Sequence, residues 1–495
     1  MEYNTISPRS AEWREQLRQE KSAKERSSIP RAQMPQLAPE YRITTMYAEV
    51  NQGLSKEQAV MEATRCLDCP NPGCVTGCPV GINIPGFIKN IERGDFHRAA
   101  MTLKETSALP AVCGRVCPQE KQCESKCLYN KMKKVPVAIG WLERFAADND
   151  CLEESEERIE TAIGQPVSNK RKVAVVGSGP AGLSFAGEMS RRGYDITVFE
   201  ALHEIGGVLK YGIPEFRLPN SVVEKEIDRL RSAGVKFESD VIVGKTYSCD
   251  DLLSMGYEAM FVASGAGLPR FMGIPGENLI GVLSSNEYLT RINLMGAGRD
   301  GYATPVLYGR RVAVIGGGNT AMDSVRTALR MGAEEALIVY RRSESEMPAR
   351  IEEVHHAKEE GVKFLTLHNP IEYISDENGR VRAMRLQRME LGEPDASGRR
   401  SPVPVEGAVT EIPVDLVIVS VGVSPNPLVP SSIEGLEVTQ RGTIAVNEDT
   451  LQSSIPVLYA GGDIVRGGAT VILAMGDGRR AAAAMDEMLR GTKSK

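Results

Sequence analysis

The chain has 495 residues, of which 59 are basic and 65 acidic, and its formal net charge is −6. That balance argues against nucleic acid as the main partner. The hydrophobic content of 42% is ordinary, and no apolar run reaches the roughly 18 residues that a membrane span needs. At roughly 150 residues per domain, the length predicts about three domains. We expect a cytoplasmic protein, because the polar first residues lack the apolar core of a secretory signal.

The first forty residues are polar and are interrupted by Pro8, Pro30, Pro35 and Pro39. Residues 11–26 carry mixed charge with helical character. Two alternatives stay open for this segment: an extended arm that docks on a neighbouring protein, or a solvated tail.

Eight of the ten cysteines form two groups. They read Cys66-x2-Cys69-x4-Cys74-x3-Cys78 and Cys113-x3-Cys117-x5-Cys123-x3-Cys127. Thiolates at such spacing suit 4Fe-4S clusters, and Pro79 after Cys78 is typical of ferredoxins. Zinc is the weaker alternative because only Cys66 and Cys69 form the paired knuckle that it prefers, and disulfides belong to small secreted domains. Cys151 and Cys249 stand alone and are expected to be ordinary, partly buried residues.

Short helices are expected around these cysteines. Ser55 can cap a helix over residues 56–65, and residues 84–92 and 96–105 have helical periodicity. The cysteines then lie on loops between helices. Residues 1–168 are therefore predicted to form an α-helical iron–sulfur domain.

A dinucleotide-binding unit follows from residue 169. An apolar strand runs into Gly177, Gly179 and Gly182 in the pattern G-x-G-x-x-G, and a helix follows. The next strand ends at Glu200, whose carboxylate can accept hydrogen bonds from ribose hydroxyls while the helix N-terminus holds the pyrophosphate. This unit favours a dinucleotide with a free ribose hydroxyl.

A second unit repeats the pattern at residues 310–321, with Ala321 at the third glycine position. Its second strand ends at Arg341 and Arg342, where the first unit has an acid. A guanidinium suits a 2′-phosphate, which a carboxylate would repel. The second unit is therefore predicted to bind NADP(H).

Two further segments complete the first unit, and the second of them returns the chain to it. Residues 261–265 and 457–463 are apolar strands that end in small residues, and Asp463 is followed by a helix that opens at residues 469–476. This order predicts an α/β protein in which an N-terminal helical domain precedes two Rossmann-like domains, the second inserted in the first. The expected FAD domain comprises residues 169–289 and 426–495, and the NADP(H) domain residues 290–425.

Several longer motifs carry a resemblance to a known family. They are Cys66-Leu-Asp-Cys69, Gly77-Cys-Pro-Val80, Cys113-Gly-Arg-Val-Cys-Pro-Gln119, Gly206-Gly-Val-Leu-Lys-Tyr-Gly-Ile-Pro214, Gly316-Gly-Gly-Asn-Thr-Ala-Met-Asp323, Tyr340-Arg-Arg342 and Ala460-Gly-Gly-Asp463. Over residues 30–495 the chain resembles the small (beta) subunit family of NADPH-dependent glutamate synthase. That family includes the large subunit of the electron-bifurcating NADH-dependent ferredoxin:NADP oxidoreductase, and it resembles the N-terminal half of dihydropyrimidine dehydrogenase.

The resemblance implies an interlaced arrangement of cluster ligands. One 4Fe-4S cluster would be held by Cys66, Cys69, Cys74 and Cys127, and the other by Cys78, Cys117, Cys123 and Glu143. A carboxylate on iron should alter the potential of the second cluster. The alternative, in which Cys113 is the ligand and Glu143 an ordinary helix carboxylate, stays open.

The resemblance also implies the nucleotide contacts and the reaction. NADPH would be held by Gly316, Gly318, Asn319, Thr320, Arg341 and Arg342. FAD would be contacted by Gly177, Gly179, Gly182, Glu200, Gly207, Arg217, Gly462, Asp463 and Thr470. A hydride would pass to the flavin and electrons would then pass singly to the clusters, so no catalytic acid or base is expected.

The partner is predicted from the same resemblance. The first hypothesis is an NADPH-oxidising subunit that feeds a glutamate synthase large subunit. The alternative is the large subunit of an electron-bifurcating or sulfide- and ferredoxin-linked reductase, paired with a small flavin and 2Fe-2S subunit. Residues 79–87, 343–348 and 389–394 look more like the second group. Because Glu2 follows Met1, no N-terminal cysteine nucleophile is available, and we expect no glutaminase activity.

Overall fold

The computed structural model describes residues 6–150, 171–396 and 398–491, so Cys151 lies outside the described residues. An N-terminal helical unit comes first. Its α-helices are Glu12–Glu20, Ala23–Ser28, Pro39–Arg42, Lys56–Thr64, Gly73–Thr76, Ile84–Glu92, Phe96–Lys104, Pro110–Val116, Leu128–Lys131 and Ile139–Asp148, with 3-10 turns at Gln119–Lys121 and Glu124–Lys126.

The three helices predicted around the cysteines are confirmed to within one residue, whereas the helical stretch predicted at residues 11–26 is divided into Glu12–Glu20 and Ala23–Ser28. The helix ends have local causes. Ser55 and Gln58 form a reciprocal capping box at the start of Lys56–Thr64. The Asp95 carboxylate accepts from the backbone N–H of Arg98 at 3.0 Å and starts Phe96–Lys104.

The first Rossmann sheet has five parallel strands in the order β15-β4-β1-β2-β3. The strands are β1 (Lys172–Val176), β2 (Asp195–Phe199), β3 (Lys236–Glu238), β4 (Tyr257–Val262) and β15 (Leu458–Ala460). The late strand β15 thus completes a sheet begun almost 300 residues earlier in the chain.

The second Rossmann sheet has the order β6-β13-β7-β8-β9, also parallel. Its strands are β6 (Val282–Ser284), β7 (Arg311–Ile315), β8 (Glu335–Tyr340), β9 (Lys363–Thr366) and β13 (Leu416–Val419). Because β6 pairs with β13, the second sheet begins before the expected boundary at residue 290. A short antiparallel ribbon of β5 (Leu268–Pro269) and β14 (Val423–Ser424) joins the two units.

An antiparallel meander is appended to the second unit. It comprises β10 (His368–Ser375), β11 (Val381–Pro394) and β12 (Arg400–Pro413). One face covers the second sheet through Tyr373, Met384 and Leu386. The sequence analysis did not predict this sheet.

The remaining helices cover the Rossmann sheets. They are Pro180–Arg191, Val208–Tyr211, Asn220–Ser232, Cys249–Ser254, Ser285–Leu289, Asn319–Arg330, Ile351–Glu359, Leu428–Ser431, Asp463–Arg466 and Val471–Gly491, with a π-turn at Thr290–Leu294 and a 3-10 turn at Glu344–Glu346. None of the helices in the described ranges is both long and apolar enough to cross a bilayer. The predicted fold class, with one Rossmann unit inserted in the other, is confirmed.

The C-terminal helix Val471–Gly491 packs closely on Pro180–Arg191. A Cβ at Gly478 would lie 2.4 Å from the Ala181 carbonyl oxygen, so only glycine allows this approach. The Ser184 hydroxyl donates to the Met475 carbonyl at 2.9 Å. Phe87 of the helical unit and Phe185 of the first Rossmann unit belong to the same hydrophobic cluster as Met475, so these two units share one core.

The polar N-terminal segment packs on its own chain. Arg14 is almost completely buried and forms an ion pair with the buried Asp68. Arg26 donates to the Thr64 carbonyl and to Glu92, both at 2.7 Å. The segment is therefore part of the helical unit in the described residues.

Replacing Arg14 with leucine should destabilise the helical unit by about 3 kcal/mol, because it removes one of the two arginines that pair with the buried Asp68 carboxylate and leaves only Arg18. Urea unfolding followed by tryptophan fluorescence is the measurement, since Trp13 and Trp141 are the only tryptophans and both lie in this unit. Glu15→Ala is the control, because Glu15 is an exposed partner of Arg18. Equal shifts in both variants would contradict the assigned role of the buried pair.

Candidate functional site

The structure brings together the first predicted set of cluster ligands. Burial raises the pKa of the Cys74 thiol, and the neighbouring Cys66, Cys127 and Cys69 raise it further. Burial and the nearby Cys127 likewise raise the pKa of Cys69. Cys127 is thus close to cysteines that precede it by more than fifty residues. We call Cys66, Cys69, Cys74 and Cys127 the first cysteine group.

The loop between Cys66 and Cys69 is held by charged side chains. Asp68 has a left-handed backbone with φ of 49°, and Arg18 lies 2.5 Å from its carboxylate, beside the Arg14 pair. Lys89 Nζ donates to the Cys66 carbonyl at 2.6 Å. These contacts hold the strained loop between Cys66 and Cys69 in one conformation.

A second group lies deeper in the unit. Burial raises the pKa of Cys78 to about 11, and Glu143 and Cys117 are among its charged neighbours. Burial raises the pKa of Cys123 well above its usual value, and Glu143, Cys78 and Cys117 contribute. We call Cys78, Cys117, Cys123 and Glu143 the second group.

Glu143 and Cys113 both adjoin the second group, but their surroundings differ. Glu143 is 5% exposed, and its Oε1 atom has no hydrogen-bond partner among the described residues. Burial raises the pKa of this carboxyl to about 8. Cys113 Sγ instead donates to Met475 Sδ at 3.4 Å. A buried oxygen without a partner is costly, so the carboxylate fits a fourth ligand better than Cys113 does.

Both groups fit iron–sulfur clusters in their chemistry. Burying several thiols together disfavours their thiolate forms unless positive metal charge offsets it. A single ion would need its ligand atoms within about 2.3 Å of one point. In the part of the chain that the structure describes, no three His, Cys, Asp or Glu side chains are grouped to hold one ion.

The glycine-rich loop after β1 forms an open cradle. Gly177 has φ of 100°, and a Cβ there would lie 2.5 Å from the Ala263 carbonyl oxygen. A Cβ at Gly182 would lie 2.0 Å from the Gly177 oxygen. A Cβ at Gly179 would meet no atom within 4 Å, so space is open at the start of Pro180–Arg191. That space suits a pyrophosphate at a helix N-terminus.

Glu200 is fixed at the edge of this cradle. Its carboxylate accepts from the Ser178 N–H at 2.8 Å, the Ser178 hydroxyl at 2.5 Å and the Leu202 N–H at 3.0 Å. Gly207, with φ of 55°, lies against Gly179, because a Cβ at Gly207 would be 3.0 Å from the Gly179 Cα. Glu200 and Gly207 therefore both lie beside the glycine-rich loop, at Ser178 and Gly179.

The late segment reaches the same place. Gly462 has φ of 74° and faces Ala181, and Asp463 accepts from the Ala469 N–H at 2.9 Å. Burial raises the pKa of Tyr211 to about 12, and both Asp463 and Glu200 raise it further, so the phenol lies near both carboxylates. Thr470 stands just before the C-terminal helix.

Arg217 has a different environment from the one expected. Its guanidinium donates to both oxygens of Asp323 at 2.9 Å, across the boundary between the Rossmann units. Burial raises the pKa of Asp323 to about 7, although Arg217 opposes that shift. Arg217 therefore joins the glycine motif of the second unit instead of facing the first cradle.

The second glycine loop repeats the first. Gly316 has φ of 140° and would place a Cβ 2.3 Å from the Ser420 oxygen, while a Cβ at Gly318 meets no atom within 4 Å. Asn319 Oδ1 accepts from the Arg350 N–H at 2.8 Å, and Thr320 is exposed at the first turn of the helix. A second phosphate cradle is therefore present.

The two arginines after β8 are not equivalent. Arg342 is buried, pairs with Asp395 at 2.6 Å and donates to the Arg400 carbonyl at 2.7 Å. Arg341 is exposed. Only the guanidinium of Arg341 is open to a phosphate, because the meander engages that of Arg342.

Contacts between the units join these sites, and the sequence analysis missed them. Gln122 lies between Cys117 and Cys123 of the second group, and its Nε2 atom donates to the Thr470 hydroxyl at 3.4 Å. A Cβ at Gly476 would lie 2.9 Å from the Pro79 oxygen, next to Cys78. Lys121 Nζ donates to the Pro348 carbonyl at 2.8 Å in the second Rossmann unit. Lys121 and Gln122 lie inside the second cysteine motif, and that position is the sequence signal that they carry.

Two known domain families match the chain. Residues 42–155 match dihydropyrimidine dehydrogenase domain II, 4Fe-4S cluster, and residues 171–478 match pyridine nucleotide-disulphide oxidoreductase. Among solved structures, Mycobacterium tuberculosis FprA in complex with NADPH aligns with a TM-score of 0.56 at 21% identity, over 66% of this chain and 86% of that one. That likeness supports the fold of the two Rossmann units.

Curated relatives match along most of the chain. The glutamate synthase (NADPH) small chain of Escherichia coli is 38% identical over 442 residues, which are 88% of this chain and 92% of the relative. The NADP(+)-dependent formate dehydrogenase subunit beta of Moorella thermoacetica is 39% identical over 445 residues, which are 85% of this chain but only 60% of that relative. The predicted resemblance is confirmed, and the chain belongs to the glutamate synthase small-chain family of pyridine nucleotide-disulphide oxidoreductases.

Proposed function

We propose that this chain oxidises NADPH and delivers the electrons, through FAD and two 4Fe-4S clusters, to a partner subunit for glutamate synthesis. One observation carries the proposal. The segment from Gly462 to the first turns of the C-terminal helix contacts both the flavin cradle and the loop after Cys78, through Gly462–Ala181 and Gly476–Pro79. The predicted cofactors, FAD, NADP(H) and 4Fe-4S clusters, are those of the matched domains and their structural neighbours.

Each group of residues has a distinct task in this proposal. Hydride transfer from the nicotinamide to the flavin, and one-electron transfer through the clusters, are the chemistry that these cofactors would supply when bound. Arg341 supplies the exposed charge for the 2′-phosphate of NADPH. Gly318 leaves open space at the N-terminus of the helix Asn319–Arg330 for its other phosphates. Gly179 does the same for the flavin dinucleotide. The chain's residues therefore place and tune the cofactors, and no side chain needs to move a proton.

The partner is proposed from the family. A glutamate synthase large subunit is the first candidate, because the similarity to the small chain spans nearly the whole of that relative. The alternative is the large subunit of an electron-bifurcating reductase with a small flavin and 2Fe-2S partner. The comparable identity to a formate dehydrogenase subunit supports keeping a different acceptor as that second candidate.

Nucleotide choice tests the proposed function. Wild-type protein should oxidise NADPH with a clearly higher kcat/KM than NADH. Arg341→Ala should lower kcat/KM for NADPH roughly tenfold or more, since a charged phosphate contact contributes about 1.5–3 kcal/mol, and should leave NADH oxidation unchanged. Steady-state rates with an artificial acceptor give both values.

Arg310→Ala is the matched control, because Arg310 is an exposed arginine of the same unit that pairs with Glu334 at 2.7 Å. It should leave both nucleotides unaffected. Equal kcat/KM values for NADPH and NADH in the wild-type protein would overturn the assignment.

Ligand identity in the second group is a separate prediction. Anaerobically purified protein should carry about eight irons per chain, as two 4Fe-4S clusters require. Glu143→Ala should remove roughly half of that iron and one paramagnetic resonance signal of the reduced protein. Cys113→Ser should keep both signals, because the Cys113 thiol bonds to Met475. Loss of a cluster in Cys113→Ser, with Glu143→Ala intact, would show that the cysteine is the ligand.

A further inference from the structure

An exposed basic and apolar surface surrounds the last cysteine of the first group. We name it the Lys126–Val135 surface. Its exposed members are Lys126, Leu128, Lys131, Met132, Lys133, Lys134 and Val135. Residues 125–135 contain no acidic residue, although the whole chain has a net charge of −6. The local charge is therefore opposite to that of the protein.

The lysines of this surface are mostly available for a partner. Within the described ranges, Lys131 and Lys133 form no ion pair. Lys134 is partly engaged, since it donates to the Ser27 carbonyl at 2.9 Å. Lys126 ends the 3-10 turn Glu124–Lys126, which packs beside the helix of Cys74, since the Lys126 Cγ would be 3.0 Å from a Cβ at Gly77. Uncompensated cations next to an electron-transfer site attract acidic surfaces.

Three large apolar side chains lie among these lysines. Leu128 is 41% exposed, Met132 40% and Val135 59%. Apolar residues within a charged rim are typical of protein interfaces. The Lys126–Val135 surface therefore has the apolar centre and the charged rim of a docking surface. Its positive charge favours an acidic partner.

The position of this surface gives it a role. All four cysteines of the first group are partly exposed, as is Cys78, whereas Cys117 and Cys123 of the second group are buried. The second group also contacts the segment that closes the flavin cradle, through Gln122 and Thr470. The order from the inside outward is thus flavin cradle, second group, first group and solvent. Electrons leave most readily where the first group nears the surface.

We propose that the Lys126–Val135 surface docks an acidic redox protein that exchanges single electrons with a cluster held by the first cysteine group. This rests on the proposed function, because NADPH must supply the electrons. Each NADPH oxidised yields two electrons and one proton, so two one-electron acceptors are reduced. The N-terminal segment does not supply this surface, since Arg14 and Arg26 hold it against the helical unit.

The experiment compares two double charge reversals of the full, cluster-loaded protein. Lys131→Glu with Lys133→Glu alters the surface. Lys225→Glu with Lys245→Glu makes the same charge change at exposed residues of the first Rossmann unit. Oxidised rubredoxin, a small acidic iron protein, is the probe acceptor, and menadione is an uncharged one. Calorimetric affinity for rubredoxin and iron content are measured beside the rates.

The surface variant should lose at least tenfold in kcat/KM and in affinity for rubredoxin, with a weaker dependence on salt. Its menadione rate and iron content should equal those of the wild type, and the control variant should behave as wild type throughout. Unchanged rubredoxin binding in the surface variant, or equal losses in both variants, would overturn the docking surface. Failure of the wild type to reduce menadione with NADPH would instead overturn the proposed function.

Discussion

Electron transfer between buried groups requires them to lie close together, and in this protein that closeness depends on where one helix begins. The residues before Val471–Gly491 complete the flavin cradle, and the first turns of the helix lie against the loop that follows Cys78. Met475 and Thr470 contact Cys113 and Gln122 from the same turns. This late segment therefore fixes the distance between the flavin cradle and the second group.

Buried arginines hold the three units in this arrangement. Arg217 bridges the Rossmann units through Asp323, and Arg42 of the helical unit pairs with Glu359 at 2.6 Å. Arg350 donates to the Arg115 carbonyl at 2.6 Å. Such pairs are weak evidence for net stability, because removing the charges from water opposes the attraction. Their directional bonds instead specify one relative orientation, which a path through all three units needs.

The parts of the site that depend on local geometry could be predicted from the sequence. The glycine loops follow from steric limits at Gly177 and Gly316, and these limits are visible in the spacing alone. The grouping of Cys127 with Cys66 was not available from spacing and came from the family resemblance. The engagement of Arg342 by Asp395 was missed because the meander that carries Asp395 was not predicted. Its strands are interrupted by register shifts, so alternation of polar and apolar residues is weak there.

The claim that the start of Val471–Gly491 sets the spacing between the flavin cradle and the second group is tested most directly by a stopped-flow measurement on Gly476→Val. A side chain there meets the Pro79 backbone and must push the helix away from the second group, whereas Gly491, near the other end of the same helix, has no atom within 4 Å and serves as Gly491→Val control. NADPH should bleach the flavin at the wild-type rate in both variants. Subsequent electron transfer from flavin to the clusters should slow several-fold in Gly476→Val alone. An unchanged second phase in Gly476→Val would contradict the account.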